Sequence, residues 1–221
     1  MAGLLFNPPT EGKPHAMGLT TQQLHDHLDA VAAHDPVVAG ALDRCGYPDE
    51  RIRPTGHATM LRTIVGQQVS VASADAVWAK LEAELGEGVP TSALLERDFD
   101  TLRACGLSRQ KQGYARSLCE LVENGEVCFD SLPADDEEAI AELTRIKGIG
   151  RWSAEIYLLF AEGRPDIWPA GDLAVQIACG KMLELDERPD EKATRAMAEK
   201  WRPHRGAMAI FTWHAYYQPT L

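Results

Sequence analysis

Asp172 stands alone between Trp168-Pro-Ala-Gly171 and the apolar run Leu173-Ala-Val-Gln-Ile-Ala178. A lone fixed carboxylate can stabilise positive charge that builds on a neighbouring carbon as a bond breaks. It can also orient or deprotonate an attacking water, and amides at a helix start would favour its ionised form. On local evidence alone the same residue reads first as an ordinary helix N-cap. Upstream lies Leu143-Thr-Arg-Ile-Lys-Gly-Ile-Gly-Arg-Trp-Ser-Ala154. Gly148 can take positive φ and close a helix. Gly150 leaves the next amides uncovered, and bare amides at a helix N-terminus form an anion site. Lys147 and Arg151 flank it. A phosphate there would position a nucleic acid without reading its sequence. Gly-Ile-Gly taken alone fits a plain αα turn as well.

Two further stretches carry candidate chemistry. Ile64-Val-Gly-Gln-Gln-Val-Ser70 puts two amides after a glycine that can break a helix. The closing stretch gathers Trp201, Phe211, Trp213, Tyr216 and Tyr217. Core packing accounts for Trp201 and Phe211. Arg109-Gln-Lys-Gln-Gly-Tyr-Ala-Arg116 follows Cys105-Gly-Leu-Ser108 and reads mostly as solvated helix charge, with the turn at Gly106 able to approach a DNA backbone.

These residues must be held by helices. Thr20 or Thr21 can cap a helix to about His34, and Pro36 suits the first turn of the next, to about Cys45. Residues 46–54 form a linker. Apolar three- and four-residue steps predict helices over 58–69, 70–85, 92–96, 99–105, 109–124, 137–146, 151–161, 172–183, 191–201 and 205–217. No segment alternates strictly, so strands are absent or minor.

The 221 residues carry 45% hydrophobic and 25% charged residues, ordinary for a globular chain. The N-terminus lacks the basic start of a signal peptide, and no apolar run approaches membrane-spanning length. Cys45, Cys105, Cys119, Cys128 and Cys179 are widely spaced. With no Cys-x-x-Cys pair, neither zinc nor an iron–sulfur cluster is indicated, and a reducing cytoplasm fits. The net charge of −11 runs against nucleic-acid binding. Clusters at Arg109/Lys111/Arg116, Arg145/Lys147/Arg151 and Arg202/His204/Arg205 would have to form a basic face on an acidic body.

The string from Leu143 to Ala154 resembles the helix-hairpin-helix of the HhH-GPD DNA glycosylase superfamily. Its Gly150-Arg-Trp-Ser153 form is similar to the 3-methyladenine DNA glycosylase II (AlkA-type) branch. The resemblance covers about Ala58 to Tyr217. It implies an all-α, two-lobed fold with the helix-hairpin-helix over about 137–161 and no N-terminal β domain. Residues 58–165 would form a central lobe, and 19–57 with 166–221 a second. Residues 1–18 would be a loose arm, and the active site would lie between the lobes.

At the superfamily's spacing Asp172 is the essential aspartate. Trp152 takes the place where strand-cleaving members carry a lysine that forms a Schiff base with the sugar. Base release leaving an abasic site is thus implied. Trp152 and Trp213 would wall the base pocket, since an indole face attracts a cationic alkylated base. Trp168 and Tyr157 would extend the wall, with Gln67 as the floor. Ile156 and Leu173 depart from the family's aromatic residues, which implies a more open pocket or a shifted substrate range. Gln68 takes the wedge position that fills the gap left by a flipped base. Lys147, Gly148, Gly150 and Arg151 would hold the DNA backbone, and the carbonyls of Thr144, Ile146 and Ile149 a structural Na⁺ or K⁺. No other cofactor is implied. The expected function is a monofunctional glycosylase for alkylated bases, 3-methyladenine first, then 7-methylguanine and 1-methyladenine. It would act on damaged double-stranded DNA as a cytoplasmic monomer away from membranes. The alternatives are a same-fold enzyme for an oxidised or deaminated base and a non-catalytic DNA-binding module. The second leaves Asp172 and the aromatic set unexplained.

Overall fold

The computed structural model describes residues 18–219, and every regular element among them is helical. Most of the expected arm therefore lies outside the described residues. In chain order the helices are α1 (Thr21–Ala32), α2 (Pro36–Cys45), α3 (His57–Gly66), α4 (Val71–Leu85), α5 (Thr91–Glu96) and α6 (Phe99–Ala104). There follow α7 (Arg109–Glu123), α8 (Asp136–Leu143), α9 (Arg151–Phe160), α10 (Leu173–Met182), α11 (Glu191–Met197) and α12 (Arg205–Tyr216).

Short polar side chains start many of them by accepting otherwise unpaired first-turn amides. Thr20 forms a capping box with Gln23, Asp35 caps α2 just before Pro36, and Ser70, Ser108 and Asp135 cap α4, α7 and α8. Two helices end earlier than their apolar patterns predict. α3 stops at Gly66 because its C-cap Gln67 leaves the helical region at ψ 127°, and Gln68 then turns to φ +56°. α8 stops at Leu143 and tightens into i→i+3 bonds, Arg145 N–H to Glu142 and Ile146 N–H to Leu143. The predicted 191–201 helix changes at Ala198 into a 3₁₀ turn ending at Trp201.

α1, α2, α10 and α12 pack on one another, while α3 lies against α4, α7 and α9 and α8 against α9. Their apolar faces meet in one continuous core. α12 runs through it: Ala207 to Phe211 are all buried. Burial of side chains the size of Met208, Ile210 or Phe211 contributes about 1.5–3 kcal/mol each. The helix enters through a close approach. Gly206 donates its N–H to the Pro165 carbonyl at 2.7 Å, and a Cβ there would lie 2.8 Å from that oxygen. The neighbouring Arg205 is buried, with its guanidinium on Asp166 at 2.8 and 2.9 Å and on Glu199 at 3.0 Å. This network fixes the segment leading to Asp172 against the start of α12.

Candidate active site

Asp172 is the N-cap of α10. Its Oδ1 accepts from the Ala174 and Val175 amides at 2.9 and 3.1 Å. It also accepts from the Trp213 indole N–H at 3.0 Å, while Oδ2 accepts from the Trp152 indole N–H at 2.9 Å. The helix-cap reading of this residue is thus seen directly, and the carboxylate has two further donors. One oxygen caps the helix, and both are held by indoles in charge-assisted bonds. Trp152 comes from the first turn of α9 and is 45% exposed; Trp213 comes from α12 and is 7% exposed. The Trp213 ring lies 5.5 Å from that of Phe160, centroid to centroid, and the Arg51 guanidinium sits 5.8 Å from its centroid.

The hairpin spans 144–150. Ile149 N–H bonds to Ile146 O at 3.0 Å, closing a turn whose third residue, Gly148, has φ +81°. A Cβ on Gly148 would come within 2.2 Å of the Tyr114 ring, so close packing as well as φ requires glycine. Lys147 N–H reaches Ser117 Oγ at 3.2 Å, which seats the turn on α7. Gly150 begins α9 with no side-chain cap, leaving the first-turn amides open. A groove of about 1130 Å³ runs past Trp152, lined among others by Arg53, Gln67, Gln68, Lys111 and Ile156.

The sequence and the fold match known proteins. A model of the HhH-GPD superfamily of base excision DNA repair proteins matches residues 61–203. The chain belongs to this superfamily. It is 30% identical over 158 residues to DNA-3-methyladenine glycosylase 1 of Schizosaccharomyces pombe, covering 70% of this chain and 69% of that one. A Bacillus subtilis relative, 27% identical over 164 residues, is covered over 57% of its length, against 71% of this chain. The solved 3-methyladenine DNA glycosylase Mag1 of S. pombe, in complex with abasic DNA, superposes with a TM-score of 0.71 at 26% identity. That match covers 85% of this chain and 95% of Mag1. A DNA-3-methyladenine glycosidase from Bacillus halodurans gives 0.79 at 27% identity, covering 87% and 89%.

In this HhH-GPD member the residues singled out in the sequence divide. Asp172, Trp152 and Trp213 come together. Gln68 is exposed on the groove in a left-handed conformation rare for a residue with a side chain. Gln67 also lines the groove, but its Nε2 donates to the Gly148 carbonyl at 2.8 Å, so it ties the end of α3 to the hairpin. Trp168 is not a pocket wall. It is buried, donates its N–H to Thr194 O at 3.1 Å and packs edge-on against Trp201. Tyr157 also faces the core, where its hydroxyl accepts from Gly56 N–H at 2.8 Å and burial pushes its pKa up. The groove is met instead by Ile156, one turn after Trp152.

The cations divide as well. Lys147 is exposed. Arg151 is engaged: Nε bonds Glu155 at 2.9 Å, and both terminal nitrogens bond Glu137. It clamps α8 to α9 across the hairpin with three of its five N–H donors, and each terminal nitrogen keeps a second N–H. The charges of 109–116 are not simply solvated. Lys111 donates to the Val65 carbonyl at 2.7 Å, at the end of α3, and Arg116 to Leu95 O at 3.0 Å. Lys111 and Tyr114, which the sequence reading took mostly as solvated helix, line the groove. Arg51, which it did not single out, lies over Trp213. No cluster of metal-ligating side chains occurs among the described residues, and no helix among them is long and apolar enough to cross a membrane.

Proposed function

We propose that this chain is a monofunctional DNA glycosylase that flips and excises alkylated bases from damaged double-stranded DNA, opening base excision repair. 3-Methyladenine is the first candidate, with 7-methylguanine and 1-methyladenine next. The observation that carries this is the Asp172 carboxylate held by two indole N–H groups, one from Trp152 on the groove. The names of the S. pombe and B. halodurans proteins and the abasic-DNA complex of Mag1 support it.

Chemistry follows from this geometry. With the base turned out of the helix, the C1′–N bond breaks and its electrons leave with the base. The fixed anion of Asp172 stabilises the positive sugar. Water oxygen bonds to C1′, its proton passes to Asp172 or to solvent, and an abasic site remains. An alkylated base that is already cationic leaves as a neutral molecule, so no strong general acid is needed. Trp152 carries no amine, and strand cleavage through a Schiff base has no nucleophile there.

Lys147, Gly148 and the open amides after Gly150 would hold one phosphate, and Gln68 would fill the vacated stack. The lobes would be 58–165 and 19–57 with 166–221. Three neutral carbonyls, of Thr144, Ile146 and Ile149, fit a hard monovalent cation. Ile146 O carries one hydrogen bond and keeps a second lone pair. Bound Na⁺ or K⁺ would add positive charge beside that phosphate. A monomer acting in the cytoplasm completes the reading. The test is base release from duplexes containing 3-methyladenine or 7-methylguanine by wild type and Asp172→Asn. The variant should lose release while still binding DNA. Equal release by both proteins would end the catalytic assignment.

A further inference from the structure

The linker between α2 and α3 lays two guanidiniums on the aromatic pair behind Asp172. Arg51 lies over Trp213 at 5.8 Å, and Arg53 over Phe160 at 5.5 Å. The segment is pinned by Arg53 N–H to Phe160 O at 2.8 Å. Neither arginine makes an ion pair among the described residues, although the chain carries a net charge of −11 and neighbouring Arg62 is paired with Asp75. Burial lowers the pKa of Arg53, and the charges of Arg51 and Arg62 lower it further.

Trp213 is hydrogen-bonded to Asp172, and its ring already holds a cation. Trp152, 45% exposed, has no cation over it among the described residues. A base brought to Asp172 therefore approaches two indoles, Trp152 with no cation over its ring among the described residues and Trp213 with the Arg51 guanidinium over its ring. A neutral base can stack against a guanidinium plane favourably. A cationic base meets like charge and must compete for the same π face.

We propose that Arg51 sets the charge selectivity of the base pocket: by filling the cation site on Trp213 it penalises positively charged bases relative to neutral ones. This rests on the glycosylase reading above. Two unit charges about 7 Å apart, at an effective dielectric between about 20 and 80, repel by an amount worth roughly three- to fiftyfold in rate. Salt moves the figure towards the lower end.

The experiment measures single-turnover release of 7-methylguanine, cationic in the nucleotide, and hypoxanthine, which is neutral, from otherwise identical duplexes. Wild type, Arg51→Gln and Arg51→Lys are compared. Arg51 is exposed and makes no ion pair among the described residues, so all three proteins should fold alike. The ratio of 7-methylguanine to hypoxanthine release should rise about threefold or more in Arg51→Gln. It should stay within about twofold of wild type in Arg51→Lys, which keeps the charge. A lost phosphate contact would slow both lesions together and leave the ratio alone, which overturns the proposal. So do equal shifts in both variants, and so does a wild type that releases only the cationic base. A wild type that releases neither base, nor 3-methyladenine from a control duplex, defeats the glycosylase reading and this proposal with it, whereas release of 3-methyladenine alone, or an unmoved ratio in an active enzyme, defeats only this one.

Discussion

The two indoles that meet at Asp172 come from opposite physical settings. Trp213 belongs to a helix whose residues from Arg205 to Trp213 are all buried, and Phe160 packs against its ring. Trp152 sits one residue into α9, after an uncapped glycine, with nearly half its surface in the groove. The difference separates the two carboxylate oxygens. Oδ1 is fixed by Trp213 and two helix amides, so its position comes from the core. Oδ2 has only Trp152 among the described residues. Oδ2 is thus held by a groove residue that can move at little cost in packing.

Removing the rigid partner should have the largest effect. Trp213→Ala should lose about 3–5 kcal/mol of stability, as buried aromatics do, and base release with it; denaturant midpoints measure the first. Trp213→Phe and Trp152→Phe then sharpen the contrast, because each keeps a ring and removes an N–H. A hydrogen bond to a charged group contributes about 1.5–3 kcal/mol, so kcat should fall about ten- to a hundredfold in either. Only Trp213→Phe should also lower the melting temperature. Trp152→Phe should stay within about 0.5 kcal/mol of wild type, like other exposed substitutions. Matched losses of stability would remove the distinction between a core-set and a groove-set partner.

The hairpin glycines form a similar pair. Gly148 has φ +81° and would press a Cβ into the Tyr114 ring, whereas Gly150 has φ −94° and open space around it. Gly148→Ala should cost about 1–3 kcal/mol from strain and should weaken DNA binding by tilting the turn. Gly150→Ala should change stability by less than about 0.5 kcal/mol. Chemical denaturation of the two variants decides this, and a larger loss at Gly150 would reverse the assignment.

Sequence reached the helices well because caps and turns are local. Thr20, Asp35, Ser70 and Asp172 sit where a short polar side chain starts a helix, and the hairpin glycines mark themselves. Neighbourhood in sequence misled where side-chain direction depends on tertiary packing. Trp168 and Tyr157 lie close to site residues along the chain yet point into the core. For Tyr157 the helical period already held the answer: Ile156, four residues after Trp152, shares its face, and the next residue does not. The partners of Arg151 were half legible, since Glu155 is one turn away, but Glu137 comes from another helix. Arg51 on Trp213 joins residues far apart in the chain, and no local pattern announces it.

The two hairpin cations give the finest contrast. Lys147 is exposed, while Arg151 has its donor nitrogens on Glu137 and Glu155. Lys147→Gln should weaken binding to all duplexes alike and reduce the salt slope by about one. Arg151→Gln should keep that slope and act on the fold instead. It leaves Glu155, whose side chain is 3% exposed, with Arg195 at 3.4 Å. Burial already raises the Glu155 pKa against the pull of Arg195 and Arg151, and losing Arg151 raises it further. A carboxyl whose folded pKa lies above its unfolded value is protonated in the folded state first, so stability is highest at low pH and declines as pH rises from the unfolded towards the folded value. The Arg151→Gln protein should therefore lose stability relative to wild type as pH climbs through and above the ordinary carboxylate range. Anisotropy titrations at several salt concentrations and melts across that pH range test both halves. A salt slope lowered as much in Arg151→Gln as in Lys147→Gln would mean that Arg151 leaves Glu137 for the phosphate when DNA arrives.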